Sequence, residues 1–186
     1  MNSALKYFCF ITFLFCISFY LAKGDSFAQE KKLSAAENDT LLSAARQYIK
    51  NVRFCALVTI DSSGFPHVRT MDPFLPDENW IIWFGTNPRS RKVNEIRNNP
   101  NVALYYTGNK GEGYVSITGY ASLVNNQSKK DSLWKDEWSR FYKNRKEDYL
   151  LIKVIPQKLE MIDYKHGILG NKETWETPSA VFNANH

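Results

Sequence analysis

Residues 80–92 carry the sequence Trp-Ile-Ile-Trp-Phe-Gly-Thr-Asn-Pro-Arg-Ser-Arg-Lys, which indicates an apolar strand that passes directly into a helix. Proline favours the first helical position, because its missing N–H would have no partner there. We therefore predict a strand over 80–85 and a helix over 88–98, capped by Thr86 or Asn87.

Three polar residues fall in the first turn of this predicted helix: Ser90, Arg91 and Lys92. Cations are normally disfavoured at this position, because the helix dipole already places partial positive charge there. Two adjacent cations beside a hydroxyl and free backbone N–H groups suit an anion held among them, most simply a phosphate. A solvated basic helix face is the alternative, and the cluster alone does not decide between the two.

The N-terminal 28 residues differ in composition from the rest of the chain. An apolar run covers residues 7–22, and Ser26 and Ala28 are small residues at the two positions that a signal peptidase recognises. We predict a signal peptide over 1–28, one domain over 29–186, and export to the periplasm or the medium. An uncleaved membrane anchor is the alternative, although the run is shorter than the ~20 residues of a spanning helix.

Cleavage would leave Cys55 as the one remaining cysteine of three. No disulfide could then form within the domain, and no cysteine cluster could bind a metal. Cys55 lies in an apolar run, which is typical of a buried, inert thiol. Cleavage also lowers the net charge of +5 by one unit, because it removes two cations and one anion. Such a mildly basic chain does not indicate a nucleic-acid partner.

Hydrophobic periodicity gives the remaining elements. A capping box at Ser34 and Glu37 opens a run of apolar residues at helical spacing, which predicts a helix over 34–50. Gly119 indicates a bulge or a close backbone approach inside a strand, and a second, short helix is expected over 128–138. Runs rich in strand-forming residues predict further strands over 54–60, 65–71, 102–107, 114–124, 149–155 and 159–164.

Many short strands separated by turn signals favour an antiparallel barrel over a doubly wound sheet. The interval between residues 54 and 85 holds three predicted strands and is too short for crossover helices between parallel strands. The sequence therefore predicts a mainly β, α+β fold.

Three further motifs accompany the strand–helix stretch in a fixed order. They are Gly-Phe-Pro-His-Val-Arg-Thr-Met over 64–71, Asn-Pro-Asn-Val-Ala-Leu over 99–104 and Val-Ile-Pro over 154–156. Over about residues 41–163 the chain resembles the FMN-binding split barrels of the pyridoxamine 5'-phosphate oxidase-like family. It is most similar to the small general-stress-protein branch of that family.

The resemblance implies an antiparallel split β-barrel with flanking helices, with FMN as cofactor and the flavin ring between the subunits of a homodimer. It also implies flavin-dependent oxidoreductase activity on an unidentified small molecule; a flavin- or haem-binding module without turnover is the alternative. Oxidases of the pyridoxamine phosphate substrate carry an Arg-x-His-x-Arg motif near the C-terminus. The tail of this chain lacks that motif, so oxidation of vitamin B6 is not expected.

The resemblance also assigns cofactor-binding residues. Arg91 and Lys92 match the pair that grips the FMN phosphate, while Arg69 reaches toward the ribityl-phosphate end of the cofactor. Gly85 stands where relatives often have an aromatic residue, and Tyr114 stands where the true oxidases have a glutamine. The full implied set is Arg69, Thr70, Met71, Gly85, Thr86, Ser90, Arg91, Lys92 and Tyr114. No catalytic acid or base is assigned, although His67 shares a strand face with Arg69 and is either a flavin contact or proton donor or a surface or structural histidine. His166 and His186 lack carboxylate or cysteine partners at metal-ligand spacing.

Overall fold

The computed structural model describes residues 34–108 and 111–182. The signal peptide and cleavage site predicted over 1–28 lie outside the described residues. Within the described part of the chain, no helix combines the length and the apolar character needed to cross a membrane.

Helix α1 (Ala35–Lys50) begins at the capping box that the sequence predicts. The Ser34 hydroxyl accepts a hydrogen bond from the Glu37 N–H, and the Glu37 carboxylate accepts one from the Ser34 N–H at 2.9 Å. Both groups would otherwise lack partners at a helix start. One face of α1 packs into the core through Leu41, Ala45 and Ile49.

The strands form a seven-stranded antiparallel sheet, which confirms the predicted fold class. Their order in the sheet is β2-β1-β4-β5-β6-β3, and β7 pairs with β6. Along the chain they are β1 (Cys55–Ile60), β2 (Pro66–Met71), β3 (Ile82–Thr86), β4 (Asn101–Thr107), β5 (Gly113–Val124), β6 (Leu150–Asp163) and β7 (Ser179–Val181). The tail strand β7 was not predicted from the sequence, because three residues are too few for a periodicity to show.

The sheet closes on itself only in part. Strands β2 and β3 are the two ends of the path β2-β1-β4-β5-β6-β3, and just past β2 an antiparallel bridge joins Pro73 to Phe84. Continuation of that register would pair Met71 with Thr86, but β2 and β3 form no ladder within the described residues. The barrel is therefore open between the end of β2 and the end of β3. We call this opening the split.

Strand β6 is continuous through Pro156, and the prediction of two separate strands is wrong. Gly119 on β5 lies opposite Pro156, and the register between the two strands shifts between Thr118 and Gly119. Thr118 pairs with Lys158, so Gln157 has no partner on β5. A bulge is a position where a strand tolerates proline, because the ladder there needs no regular N–H donor. The predicted bulge at Gly119 is confirmed.

The short helices depart from the prediction over 128–138. Helix α2 (Arg91–Asn98) follows β3, and α3 (Gln127–Ser132) follows β5, where the Asn126 side chain caps it by accepting from the Lys129 N–H at 2.9 Å. A 3-10 helix (Asp136–Arg140) and α4 (Arg145–Asp148) come next. Helix α3 ends early because the chain turns at Leu133 to pack against an aromatic cluster.

Alanine at Gly119 should destabilise the fold. A Cβ there would lie 2.3 Å from the Ile155 carbonyl oxygen, so the backbone of one strand has to move. We expect Gly119→Ala to lower the free energy of unfolding by about 2 kcal/mol in urea denaturation. Gly108→Ala is the control, because its Cβ would meet nothing closer than 3.7 Å. Equal stability of the two variants would contradict the close approach at the bulge.

Candidate functional site

Helix α2 begins at Arg91, three residues later than predicted, with Ser90 as its N-cap residue. The preceding residues form a turn, in which the Ser90 N–H donates to the Asn87 carbonyl oxygen at 3.0 Å. The Asn87 side chain accepts from the Arg89 N–H at 2.9 Å and stabilises that turn. Pro88 therefore lies in the turn, and the predicted caps at Thr86 or Asn87 are wrong.

The hydroxyl groups at this strand–helix junction face each other. Ser90 makes no side-chain capping bond to α2 within the described residues. Its Oγ atom instead lies 3.0 Å from Thr86 Oγ1, which also accepts a hydrogen bond from Lys92 Nζ at 3.3 Å. The end of β3 and the first turn of α2 thus bring two hydroxyls and one ammonium group together.

Lys92 is half-buried and close to two other cations. Burial lowers the pKa of its ammonium group, and the charges of Arg69 and Arg91 lower it further. A bound anion would offset both effects, because it would neutralise the local excess of positive charge. We call Arg69, Arg91 and Lys92 the cationic cluster.

A buried carboxylate lies against the cationic cluster and was not predicted from the sequence. Glu95 on α2 accepts a hydrogen bond through Oε2 from Arg69 Nη2 at 2.8 Å and another from the Thr59 hydroxyl. The side chain of Glu95 is only 3% exposed. Its one sequence signal is the i, i+4 spacing from Arg91, which also occurs in ordinary surface ion pairs.

The Glu95 carboxylate is ionised. Burial alone would raise its pKa, but the Thr59 hydrogen bond and the Arg69 and Arg91 charges outweigh burial and lower it below the ordinary value. His67 is a more distant neighbour, with Nε2 at 3.9 Å from Glu95 Oε1 and at 2.9 Å from Asp61 Oδ2.

Strand alternation places the three predicted β2 residues on different faces. Arg69 and Met71 pair with the buried residues Leu57 and Cys55 and share the inner face with them. Thr70 is exposed on the outer face. Thr70 and Met71 both border a cavity of about 230 Å³ at the end of β2. Arg69 thus joins the cationic cluster, while Thr70 and Met71 lie at the edge of the split.

Gly85 lies under two aromatic rings. A Cβ at this position would lie 2.5 Å from Trp138 Cζ3 and 2.7 Å from Tyr149 Cε2. These two side chains belong to an aromatic cluster with Trp83 and Leu151 on the outer side of β3. The chain therefore fills the space above position 85 with residues that come more than 50 positions later.

Tyr114 makes its contacts away from the cationic cluster. Its ring stacks on Tyr105 with the centroids 5.3 Å apart, and its hydroxyl lies 3.4 Å from Thr177 Oγ1. The structure therefore brings Arg69, Thr86, Ser90, Arg91 and Lys92 together but not Tyr114, whose flavin contact stays a prediction.

The part of the chain that the structure describes holds one cysteine, which forms no disulfide. Cys55 is free and buried, and burial raises the pKa of its thiol to about 12. Between residues 34 and 182, with 109 and 110 left aside, no group of three or more His, Cys, Asp or Glu side chains could hold a metal ion.

Comparison with known proteins identifies the class. The family model described as "Pyridoxamine 5'-phosphate oxidase like" matches residues 42–172, and the chain belongs to that family. General stress protein 26 of Bacillus subtilis is 29% identical over 112 residues, which cover 58% of this chain and 78% of that protein.

Solved structures share the fold. The crystal structure of General Stress Protein 26 from Bacillus anthracis matches with a TM-score of 0.59 and 27% identity, over 66% of this chain and 93% of that one. A pyridoxamine 5'-phosphate oxidase-related, FMN binding protein from Nostoc punctiforme also has a TM-score of 0.59. That match is 15% identical, covers 82% and 98% of the two chains, and shows the fold alone.

The donor set at the split fits a phosphate ester. Arg91 and Lys92 supply positive charge at the start of a helix, and the Thr86 and Ser90 hydroxyls can donate hydrogen bonds. The side chain of Arg91 is 67% exposed, and its Nε atom lies 2.9 Å from Glu95 Oε1. Charge, hydroxyl donors and helix dipole therefore point to the same ligand chemistry.

Removal of Arg69 should destabilise the protein in a pH-dependent way. Arg69→Met leaves the Glu95 carboxylate buried without its main partner, which should cost about 3 kcal/mol of unfolding free energy near pH 7. The native pKa of Glu95 is depressed, so its pairing stabilises the fold above the unfolded pKa and is lost as pH falls through the native pKa. The difference in unfolding free energy between Arg69→Met and wild type, measured by urea denaturation, should therefore become smaller toward pH 4.

Arg89→Met is the matched control, because Arg89 is largely exposed and pairs with Asp148 at the surface. Surface ion pairs contribute little, so we expect a small change for this variant. An equally large loss in both variants, or a loss for Arg69→Met that does not depend on pH, would contradict the role of the buried pair.

Proposed function

We propose that the protein binds FMN at the split and works as a flavin-dependent oxidoreductase on a small molecule. The observation that carries the proposal is the convergence of the cationic cluster with Thr86 and Ser90 at the split. Membership in the pyridoxamine 5'-phosphate oxidase-like family supports it, as does the fold shared with a neighbour described as FMN binding.

Different residues at the split would contact different parts of FMN. Lys92 and Arg91 would hold the phosphate, with the Thr86 and Ser90 hydroxyls as further donors. Thr70, Met71 and Gly85 border the split, where the flat ring would need a wall that excludes water. FMN would itself supply the hydride or electron transfer, and the protein would bind it and orient it.

A homodimer is part of this proposal. The outer face of the sheet at β1, β2, β4 and β5 carries an apolar surface that includes a shallow cavity of about 360 Å³. Val68 and Tyr120 on this face are 66% and 51% exposed. Exposed apolar surface of this kind is typical of an interface, and a second copy there would agree with the family resemblance.

We also propose export, which rests on residues 1–28 of the sequence alone. Sec-type export carries unfolded chains, so an exported chain would meet FMN outside the cytoplasm. The absorbance spectrum of protein taken from its native compartment would show which cofactor it holds there.

Loss of both helix-start cations should abolish flavin retention. We expect Arg91→Ala combined with Lys92→Ala to purify without flavin absorbance and to gain no melting temperature from added FMN. Lys165→Ala with Lys172→Ala is the control, because it removes the same charge from exposed positions in the tail. Unchanged flavin occupancy in the Arg91/Lys92 double variant would count against the site.

Turnover separates an enzyme from a binding module. Bleaching of bound flavin by a reduced nicotinamide, followed by reoxidation in air, is the result expected of the proposed oxidoreductase. Bound flavin that is not reduced and reoxidised would favour the non-catalytic module. A haem spectrum would show that the cofactor is haem and not FMN. Colourless protein that FMN does not stabilise would overturn the proposal.

A charge on the outer sheet face should separate the subunits. Val68→Asp places a carboxylate in the proposed interface, and we expect a monomer in analytical ultracentrifugation where wild type sediments as a dimer. Leu75→Asp changes a similarly exposed aliphatic residue in the loop after β2 and should stay dimeric. A wild-type monomer, or a dimer in both variants, would refute this interface.

A further inference from the structure

Glu95 is the one negative charge in direct contact with the cationic cluster among the described residues. It receives hydrogen bonds from β1 and β2 through Thr59 and Arg69, and Arg91 approaches it from its own helix. His67 at 3.9 Å is its remaining ionisable neighbour there. The Glu95 carboxylate therefore lies where it would compete with a bound phosphate for the same cations.

The two arginine contacts of Glu95 are unequal. Arg69 is 18% exposed and donates a well-formed hydrogen bond of 2.8 Å to Oε2. Arg91 is 67% exposed, and its Nε atom lies 2.9 Å from Oε1. That oxygen accepts no hydrogen bond anywhere in 34–108 or 111–182, although it is buried. Only the arginine side of the Arg91 contact is exposed, and its N–H is too poorly aligned for a hydrogen bond, so this contact is the weaker of the two.

The formal charges add to a specific total. Arg69, Arg91 and Lys92 contribute three positive charges and Glu95 contributes one negative charge, which leaves two. A phosphate monoester carries close to two negative charges near neutral pH, so it would neutralise the site. Without Glu95 the same site would carry three positive charges and attract the dianion more strongly.

We propose that Glu95 is an internal counterion, from which the phosphate of the ligand displaces Arg91 while Arg69 stays bound. This inference rests on the proposed FMN site and adds a property to it. When the ligand binds, Arg91 gives up its contact with the carboxylate and contacts the phosphate. The loss of the first contact offsets part of the free energy that the second contributes to binding. The carboxylate also repels the bound dianion. Glu95 therefore weakens retention of the cofactor and keeps it exchangeable.

Glu95→Gln tests the proposal, because it removes the charge and keeps the shape. We expect FMN to bind about tenfold more tightly than to wild type, mostly through slower release. Riboflavin, which lacks the phosphate, should bind equally to both proteins. Glu160→Gln is the matched control: it removes the same charge from a residue on β6 that pairs with Lys158, and it should leave FMN affinity unchanged.

Unchanged or weaker FMN binding by folded Glu95→Gln protein would overturn the proposal, as would an equal gain for riboflavin. Inorganic phosphate separates this inference from the proposed function. A larger phosphate-induced rise in melting temperature for Glu95→Gln would support the counterion even if FMN did not bind, and an equal or smaller rise would overturn it.

Wild-type crystals provide a second measurement if Glu95→Gln fails to fold. We expect the Arg91 guanidinium to contact Glu95 in ligand-free crystals and the phosphate in crystals soaked with FMN, while Arg69 keeps its bond to Glu95. Arg91 still on Glu95 in the FMN-bound crystal would refute the displacement.

Discussion

The ion pair between Arg69 and Glu95 connects three elements that meet at the split. Thr59 on β1 donates to the same carboxylate, so a single buried group fixes the positions of β1, β2 and α2 relative to one another. An ion pair in this setting needs good geometry to offset desolvation. That requirement restricts how far the end of β2 can move away from α2. The ion pair also keeps the three cations of the cationic cluster close together without a ligand.

The open edge of the barrel makes the cationic cluster accessible to a ligand. A closed ladder between Met71 and Thr86 would consume the backbone groups at the end of β3 and leave no entrance for a ligand. Within the described residues, pairing between these two edges is limited to the bridge at Pro73 and Phe84 and does not continue along β2 and β3. The strand–helix junction therefore keeps its hydroxyls and cations at an accessible edge, while the apolar core remains closed behind it.

Local patterns predicted what depends on local chemistry. The capping box at Ser34, the bulge at Gly119 and the placement of Arg91 and Lys92 in a first helical turn all follow from residue type and spacing. The start of α2 was missed because the Asn87 side chain stabilises a turn that competes with the helix. The buried carboxylate of Glu95 was missed for a different reason, since its partners Thr59 and Arg69 come from strands that only the tertiary fold brings near.

Gly85 and the segment that carries Trp138 form a compensating pair. Any side chain larger than hydrogen at position 85 would occupy the volume of the two rings above it. A larger residue at position 85 would therefore require the segment that carries Trp138 to lie farther from β3. Residue 85 and that segment should covary among homologues. Because one wall beside the split comes from this distant segment, a change in its length can reshape the entrance while β2 and β3 stay unchanged.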